Sequence, residues 1–236
     1  MNSHSGVVAF PGAGSFGSEF GPLLRELKPT AWLARYPGRF GRDFGTAAGS
    51  FEELVLACAT QVTCRKLVRP VLLGHSFGAY VAYATAARLQ KDGAELSALV
   101  VVGATAPELF TIPEVATRSR SGTAAYLDDI DPVLVPGESS SDWRDVVVDM
   151  AYQDLRLLGG FDSADYEMLR CPIFAVRGEE DPLTSDAGIA EWAENTSDTC
   201  SRLVFPGGHS DFLGSAEFVS WVARGITTPP VIGIHQ

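Results

Sequence analysis

Pro70-Val71-Leu72-Leu73-Gly74-His75-Ser76-Phe77-Gly78-Ala79-Tyr80-Val81-Ala82 joins a short apolar run to a helical pattern across a G-x-S-x-G turn. Residues 70–73 read as a buried strand and residues 79–89 as a helix. A serine on so sharp a strand-to-helix turn is a nucleophile elbow. Small residues on both sides relieve the strained backbone and let the helix pack close to the strand. The serine then projects out of the fold, beside a helix N-terminus that favours negative charge. With 24 glycines in 236 residues, the five-residue pattern alone can arise by chance. Its meaning rests on the flanking elements and on partners elsewhere in the chain.

Outward from the elbow, apolar runs alternate with helical spacing. Residues 7–10, 31–36, 96–103, 171–177 and 201–205 read as further strands. Residues 19–27, 51–68 and 216–224 read as helices, the second opened by a capping box of Ser50 and Glu53. Such alternation predicts an α/β fold, a mostly parallel sheet covered by helices on both faces. Residues 105–169 break the rhythm. They contain no convincing strand, and residues 142–158 carry apolar positions at helical spacing. This helical insertion, over the carboxyl edge of the sheet, is expected to act as a cap or lid; a packing subdomain with no gating role is the alternative. Residues 1–236 are expected to form one domain, large enough to bury a full core, with a poorly ordered tail from Thr227.

The net charge of −11 argues against nucleic-acid binding. Arg35, Arg39 and Arg42 cluster in sequence, either as a local basic patch or as a solvated loop. No apolar run reaches the ~18–20 residues of a membrane span, and residues 1–6 lack the features of a signal peptide, so a cytoplasmic protein with no membrane partner is expected. Cys58, Cys64, Cys171 and Cys200 show no C-x-x-C spacing. They are expected to be free thiols, buried or half-buried, and to bind no metal.

A serine hydroxyl is a weak nucleophile at neutral pH and needs a base, which in turn needs an orienting carboxylate. Of four histidines, His4 and His235 lie in the terminal tails. His75 adjoins Ser76 at a tight turn, where neighbouring side chains point apart. His209 remains, in Phe205-Pro206-Gly207-Gly208-His209, at the carboxyl end of the last strand, where such sheets place their chemistry. The leading acid is Asp181 in Arg177-Gly178-Glu179-Glu180-Asp181-Pro182, with Glu179 and Glu180 as rivals; Asp211 is too near His209 along the chain. The order Ser, Asp, His is that of α/β-hydrolases. An oxyanion hole needs two backbone N–H donors. Phe77 supplies one, and the loop after the first strand the other, Ala13 in preference to Gly12 or Gly14. Gly12, Gly14 and Gly17 also match a dinucleotide fingerprint, but the acid expected about 20 residues on is missing, that strand ending in Arg35-Tyr36-Pro37.

With these residues in place, the chain resembles the type II thioesterases, free-standing α/β-hydrolases that accompany polyketide and nonribosomal peptide synthases. The resemblance runs through Phe10-Pro11-Gly12-Ala13-Gly14-Ser15, Tyr36-Pro37-Gly38-Arg39, Gly74-His75-Ser76-Phe77-Gly78-Ala79, Cys171-Pro172-Ile173 with Asp181-Pro182, and Gly207-Gly208-His209. It departs where many relatives carry two aromatic residues after the histidine and this chain has Ser210-Asp211, and where Gly12 replaces a larger residue. The resemblance implies an α/β-hydrolase fold and hydrolysis of acyl thioesters on the phosphopantetheine arm of an acyl or peptidyl carrier protein, for editing or product release. It also implies no metal and no bound cofactor, and a monomer is expected. An oxygen-ester hydrolase, an acyltransferase and a non-catalytic module on the same scaffold are the alternatives.

Overall fold

The computed structural model describes residues 6–130 and 141–224. Six strands, β1 (Val7–Phe10), β2 (Ala31–Leu33), β3 (Val71–His75), β4 (Ala98–Val102), β5 (Ile173–Gly178) and β6 (Cys200–Phe205), form one sheet in the order β2-β1-β3-β4-β5-β6. Every pairing is parallel. β3 and β4 are buried at all five positions each, as an apolar strand covered on both faces must be. On one face, α1 (Gly21–Glu26) and α8 (Ala216–Ala223) enclose Leu23, Phe205, Phe218 and Trp221. On the other, α2 (Phe51–Cys64) and α3 (Phe77–Lys91) pack over Leu54, Leu72 and Tyr83.

The chain leaves β1 toward one edge to form β2, then crosses back to form β3 on the other side of β1. Strand order therefore reverses between β1 and β3, where Phe10 pairs with Gly74. The crevice beyond the carboxyl ends of strands at such a reversal is where open α/β sheets bind ligands. The loops carrying Ala13 and Ser76 both open there.

Several elements differ from expectation. β2 ends at Leu33 rather than residue 36, because the Gln61 side chain takes over both the N–H and the carbonyl of Arg35. α2 ends at Cys64, and Lys66 and Arg69 then turn through positive φ. Ser50 caps α2 by accepting from the Glu53 N–H, but the Glu53 carboxylate accepts from Gly49 rather than from Ser50. The insertion holds α4 (Glu114–Arg118), α5 (Arg120–Ile130) and α6 (Ser141–Leu158). Only α6 was expected; Val147, Met150, Ala151, Leu155 and Leu158 bury its apolar stripe. A further short helix, α7 (Asp186–Ala190), follows β5. All four cysteines are free, but Cys64 is exposed, contrary to expectation, because it ends α2 on the solvent side. The expected tail from Thr227, and His4 and His235, lie outside the described residues. Among the described residues, no helix is long and apolar enough to cross a membrane.

Candidate active site

Ser76 sits at φ 53° and ψ −121°, a strained conformation for a residue with a side chain. Close packing enforces it. A Cβ on Gly74 would lie 2.2 Å from the Gly78 carbonyl oxygen, and a Cβ on Gly78 would lie 2.2 Å from that of Phe10. The Ser76 N–H donates to the Val102 carbonyl at 2.8 Å, and α3 starts at the next residue. Ser76, Ala13 and Phe77 line one cavity of about 190 Å³, whose walls come from Tyr80 on α3, Leu127 and Ile130 on α5, and Leu155 and Leu158 on α6.

The loops after β5 and β6 interlock. A Cβ on Gly178 would meet the Gly208 carbonyl oxygen at 1.9 Å, and the Glu179 and Glu180 N–H groups donate to the carbonyls of Phe205 and Gly207. This brings His209 Nδ1 to 3.0 Å from Asp181 Oδ1, both side chains fully buried. Asp181 also accepts from the Leu183 N–H at 2.9 Å and the Thr184 hydroxyl at 2.8 Å. Burial alone would raise its carboxyl pKa, but His209 and these donors outweigh it and hold Asp181 below the ordinary carboxylate range. With Nδ1–H donated to a carboxylate, His209 Nε2 carries the lone pair; it is buried and makes no hydrogen bond, to Ser76 or to any other described residue. Such contacts are often loose until substrate is bound. Glu179 and Glu180 are exposed. Gly103, at the end of β4, offers no acid and could not hold one without moving His209, since a Cβ there would lie 3.0 Å from His209 Cε1.

The first loop is pinned at nearly every amide. The Gly12 N–H donates to Glu19 Oε1 at 3.1 Å, the Gly14 N–H to Asp154 Oδ2 at 2.8 Å, and the Ser15 N–H to the Gly12 carbonyl at 3.1 Å. The two alternatives to Ala13 as oxyanion donor are thus engaged, while the Ala13 N–H has no partner among the described residues. The same carboxylates argue against a nucleotide here, because they occupy the amides that would cradle its phosphates. Gly14 and Gly17 serve the turn instead, both at positive φ, and Gly17 packs against Leu33.

Other contributing groups were missed in the sequence. His75 is fully buried; its Nε2 lies 3.1 Å from the His209 carbonyl oxygen, its Nδ1 3.9 Å from Glu19. Burial tends to raise the Glu19 pKa, but His75, the Ser15 hydroxyl and the Gly12 amide together lower it. Arg39 lies in neither a solvated loop nor a basic patch. It is buried, ion-paired with Asp154 of α6, and its guanidinium lies over the rings of Phe16 and Tyr36. Asp154 interrupting the apolar stripe of α6 was the one available signal. Among the described residues no group of His, Cys, Asp and Glu could hold a metal ion.

A family model for the thioesterase domain matches residues 6–226. A probable cadicidin biosynthesis thioesterase of Streptomyces griseus is 27% identical over 86% of this chain and 57% of its own length. This chain therefore spans little more than half of that relative. Thioesterase PikA5 of Streptomyces venezuelae is 29% identical over 88% of this chain and 75% of its own. Among solved structures, the type II thioesterase BorB from the borrelidin biosynthetic cluster superposes with a TM-score of 0.83 at 24% identity, covering 95% of this chain and 93% of that one, a likeness of fold. The chain has the α/β-hydrolase fold and belongs to the thioesterase domain family.

Proposed function

We propose that the chain hydrolyses acyl thioesters carried on the phosphopantetheine arm of an acyl or peptidyl carrier protein, in polyketide or nonribosomal peptide biosynthesis. The observation that carries this reading is the buried Asp181–His209 pair together with a strained Ser76 that lines a largely apolar cavity. In the proposed mechanism Ser76 Oγ attacks the thioester carbonyl and His209 Nε2 takes its proton. Asp181 holds the imidazole in the required tautomer and stabilises the imidazolium. The Ala13 and Phe77 N–H groups receive the oxyanion. The pantetheine thiol leaves with the proton from His209, and water activated by the same nitrogen cleaves the acyl-Ser76 ester. The acyl chain lies in the cavity beneath the insertion at residues 105–169, which caps a single hydrolase domain. No metal or cofactor takes part.

The relatives' names, a probable cadicidin biosynthesis thioesterase of Streptomyces griseus and the thioesterase PikA5, support a biosynthetic thioesterase. Four free cysteines fit a reducing cytoplasm. The enzyme is proposed to act as a monomer, which light scattering would test. The main experiment compares acyl-carrier proteins, acyl-CoA and p-nitrophenyl esters as substrates for wild type and Ser76→Ala. Carrier thioesters should be hydrolysed by wild type alone. Turnover of p-nitrophenyl esters with none of the carrier thioesters would replace the proposal with an oxygen-ester hydrolase.

A further inference from the structure

We propose that Asp154, on helix α6 of the insertion, is a positioning residue that aims the Ala13 N–H into the oxyanion hole. The proposal rests on the reading of Ser76 and Ala13 given above. Three peptide planes matter. The plane joining Pro11 to Gly12 is held at both ends: the Tyr36 hydroxyl donates to the Pro11 carbonyl at 2.9 Å, and the Gly12 N–H donates to Glu19. The plane joining Ala13 to Gly14 is held by the Gly14 N–H donating to Asp154. Between them lies the plane that carries the Ala13 N–H. Its carbonyl, that of Gly12, accepts from the Ser15 N–H. In a trans peptide the C=O and N–H point in opposite directions, so fixing that carbonyl on one side turns the Ala13 N–H toward the other.

Asp154 alone of these anchors comes from the insertion. It lies 140 residues from Gly14 in sequence. α6 also touches the loop sterically, since a Cβ on Gly14 would meet the Val147 carbonyl oxygen at 2.7 Å and the Ala151 methyl at 2.9 Å. Arg39 completes the arrangement. Buried and held over Phe16 and Tyr36, it bonds the same Oδ2 that Gly14 uses, and so fixes where that acceptor stands. Seating of the insertion and formation of the hole become one event, because one carboxylate oxygen serves both.

The test separates aiming from mere structural support. Replacing a buried ion pair by apolar groups of similar shape often leaves stability unchanged, whereas removing one partner strands the other charge. Two double variants therefore serve, Asp154→Leu with Arg39→Met and Asp154→Asn with Arg39→Met. Both lack the ion pair; only the second keeps an acceptor for the Gly14 N–H. With octanoyl-pantetheine as substrate, the leucine double variant should lose about ten- to hundredfold in kcat, the range expected when an oxyanion donor is misdirected. Its KM should stay within about twofold, as for an interaction made only in the transition state. The asparagine double variant should retain most of the wild-type kcat. Equal kcat in the two double variants would overturn the proposal. If the leucine variant shows no cooperative thermal transition, Asp154→Glu decides instead. It keeps the charge but moves the acceptor by one methylene, and an unchanged kcat in a folded protein would overturn the proposal. Ser76→Ala controls for the underlying reading: turnover at the wild-type rate in that variant would remove the reading itself, whatever the double variants show.

Discussion

The elbow and the first loop face each other across the strand-order reversal, and both are rich in glycine, yet different forces hold them. At the elbow the constraint is contact between backbones. Gly74 and Gly78 have no room for a methyl group, and Ser76 is forced into its strained conformation by its immediate neighbours. In the first loop the constraint comes from side chains, chiefly two carboxylates at positions 19 and 154 that take the amides on either side of Ala13. The first kind of constraint is local and leaves nothing to adjust. The second is assembled from one nearby and one distant carboxylate and can be tuned by conservative replacement.

The sharpest way to break this contrast is Gly78→Ala. The new methyl group would lie 2.2 Å from the Phe10 and 2.5 Å from the Pro11 carbonyl oxygen. Backbone cannot yield as a flexible side chain does, so the destabilisation should exceed about 4 kcal/mol. Circular dichroism should show no cooperative transition; a folded, active variant would mean that the elbow is as adjustable as the loop. Next comes Asp181→Asn, which keeps the shape of the acid–base side but favours the wrong histidine tautomer. A fall of about 10⁴ in kcat is expected, with Glu180→Gln near wild type; the reverse order in steady-state kinetics would reassign the acid.

A smaller effect should appear in the dependence of stability on pH. Glu19 and Asp181 both have lowered pKa values in the folded state. Their contribution is therefore fully present above the unfolded carboxylate range and is lost as pH falls through their folded values. Glu19→Gln should lower the melting temperature at pH 7, and its curve should converge on that of wild type below about pH 4. A constant offset from pH 7 to pH 3 would show that Glu19 acts by packing rather than by charge. The smallest effect should come from the surface of the insertion. Arg118 and Glu114 form an exposed i, i+4 pair, so Arg118→Ala should change unfolding free energy by less than about 0.5 kcal/mol in urea titrations.

The same contrast explains what could be read from the chain alone. The strands, the parallel sheet and the elbow were legible because short apolar runs, small residues at a turn and helical spacing are local properties. Asp181 and His209 could be singled out because each follows a strand, and chain order limited the choice. Arg39 was misread because its burial depends on Asp154, 115 residues away, and no local pattern records that. The contact of His75 with the His209 carbonyl, 134 residues away, left no local pattern either. Helices α4 and α5 escaped because they bury so little: α4 buries Ala116 alone, and α5 buries Thr123 and Leu127.

The bond from Gly14 to Asp154 closes a loop of 140 residues, and the contact of His75 with the His209 carbonyl closes one of 134. Contacts of such separation raise contact order and slow folding. On the ribosome the strands and helix around Ser76 are complete by residue 102, well before either Asp154 or His209 has been made. A nascent chain at that stage would display the serine with no base and an unaimed donor. On the proposed mechanism, reactivity toward thioesters would arrive only with the last third of synthesis, when His209 has been made.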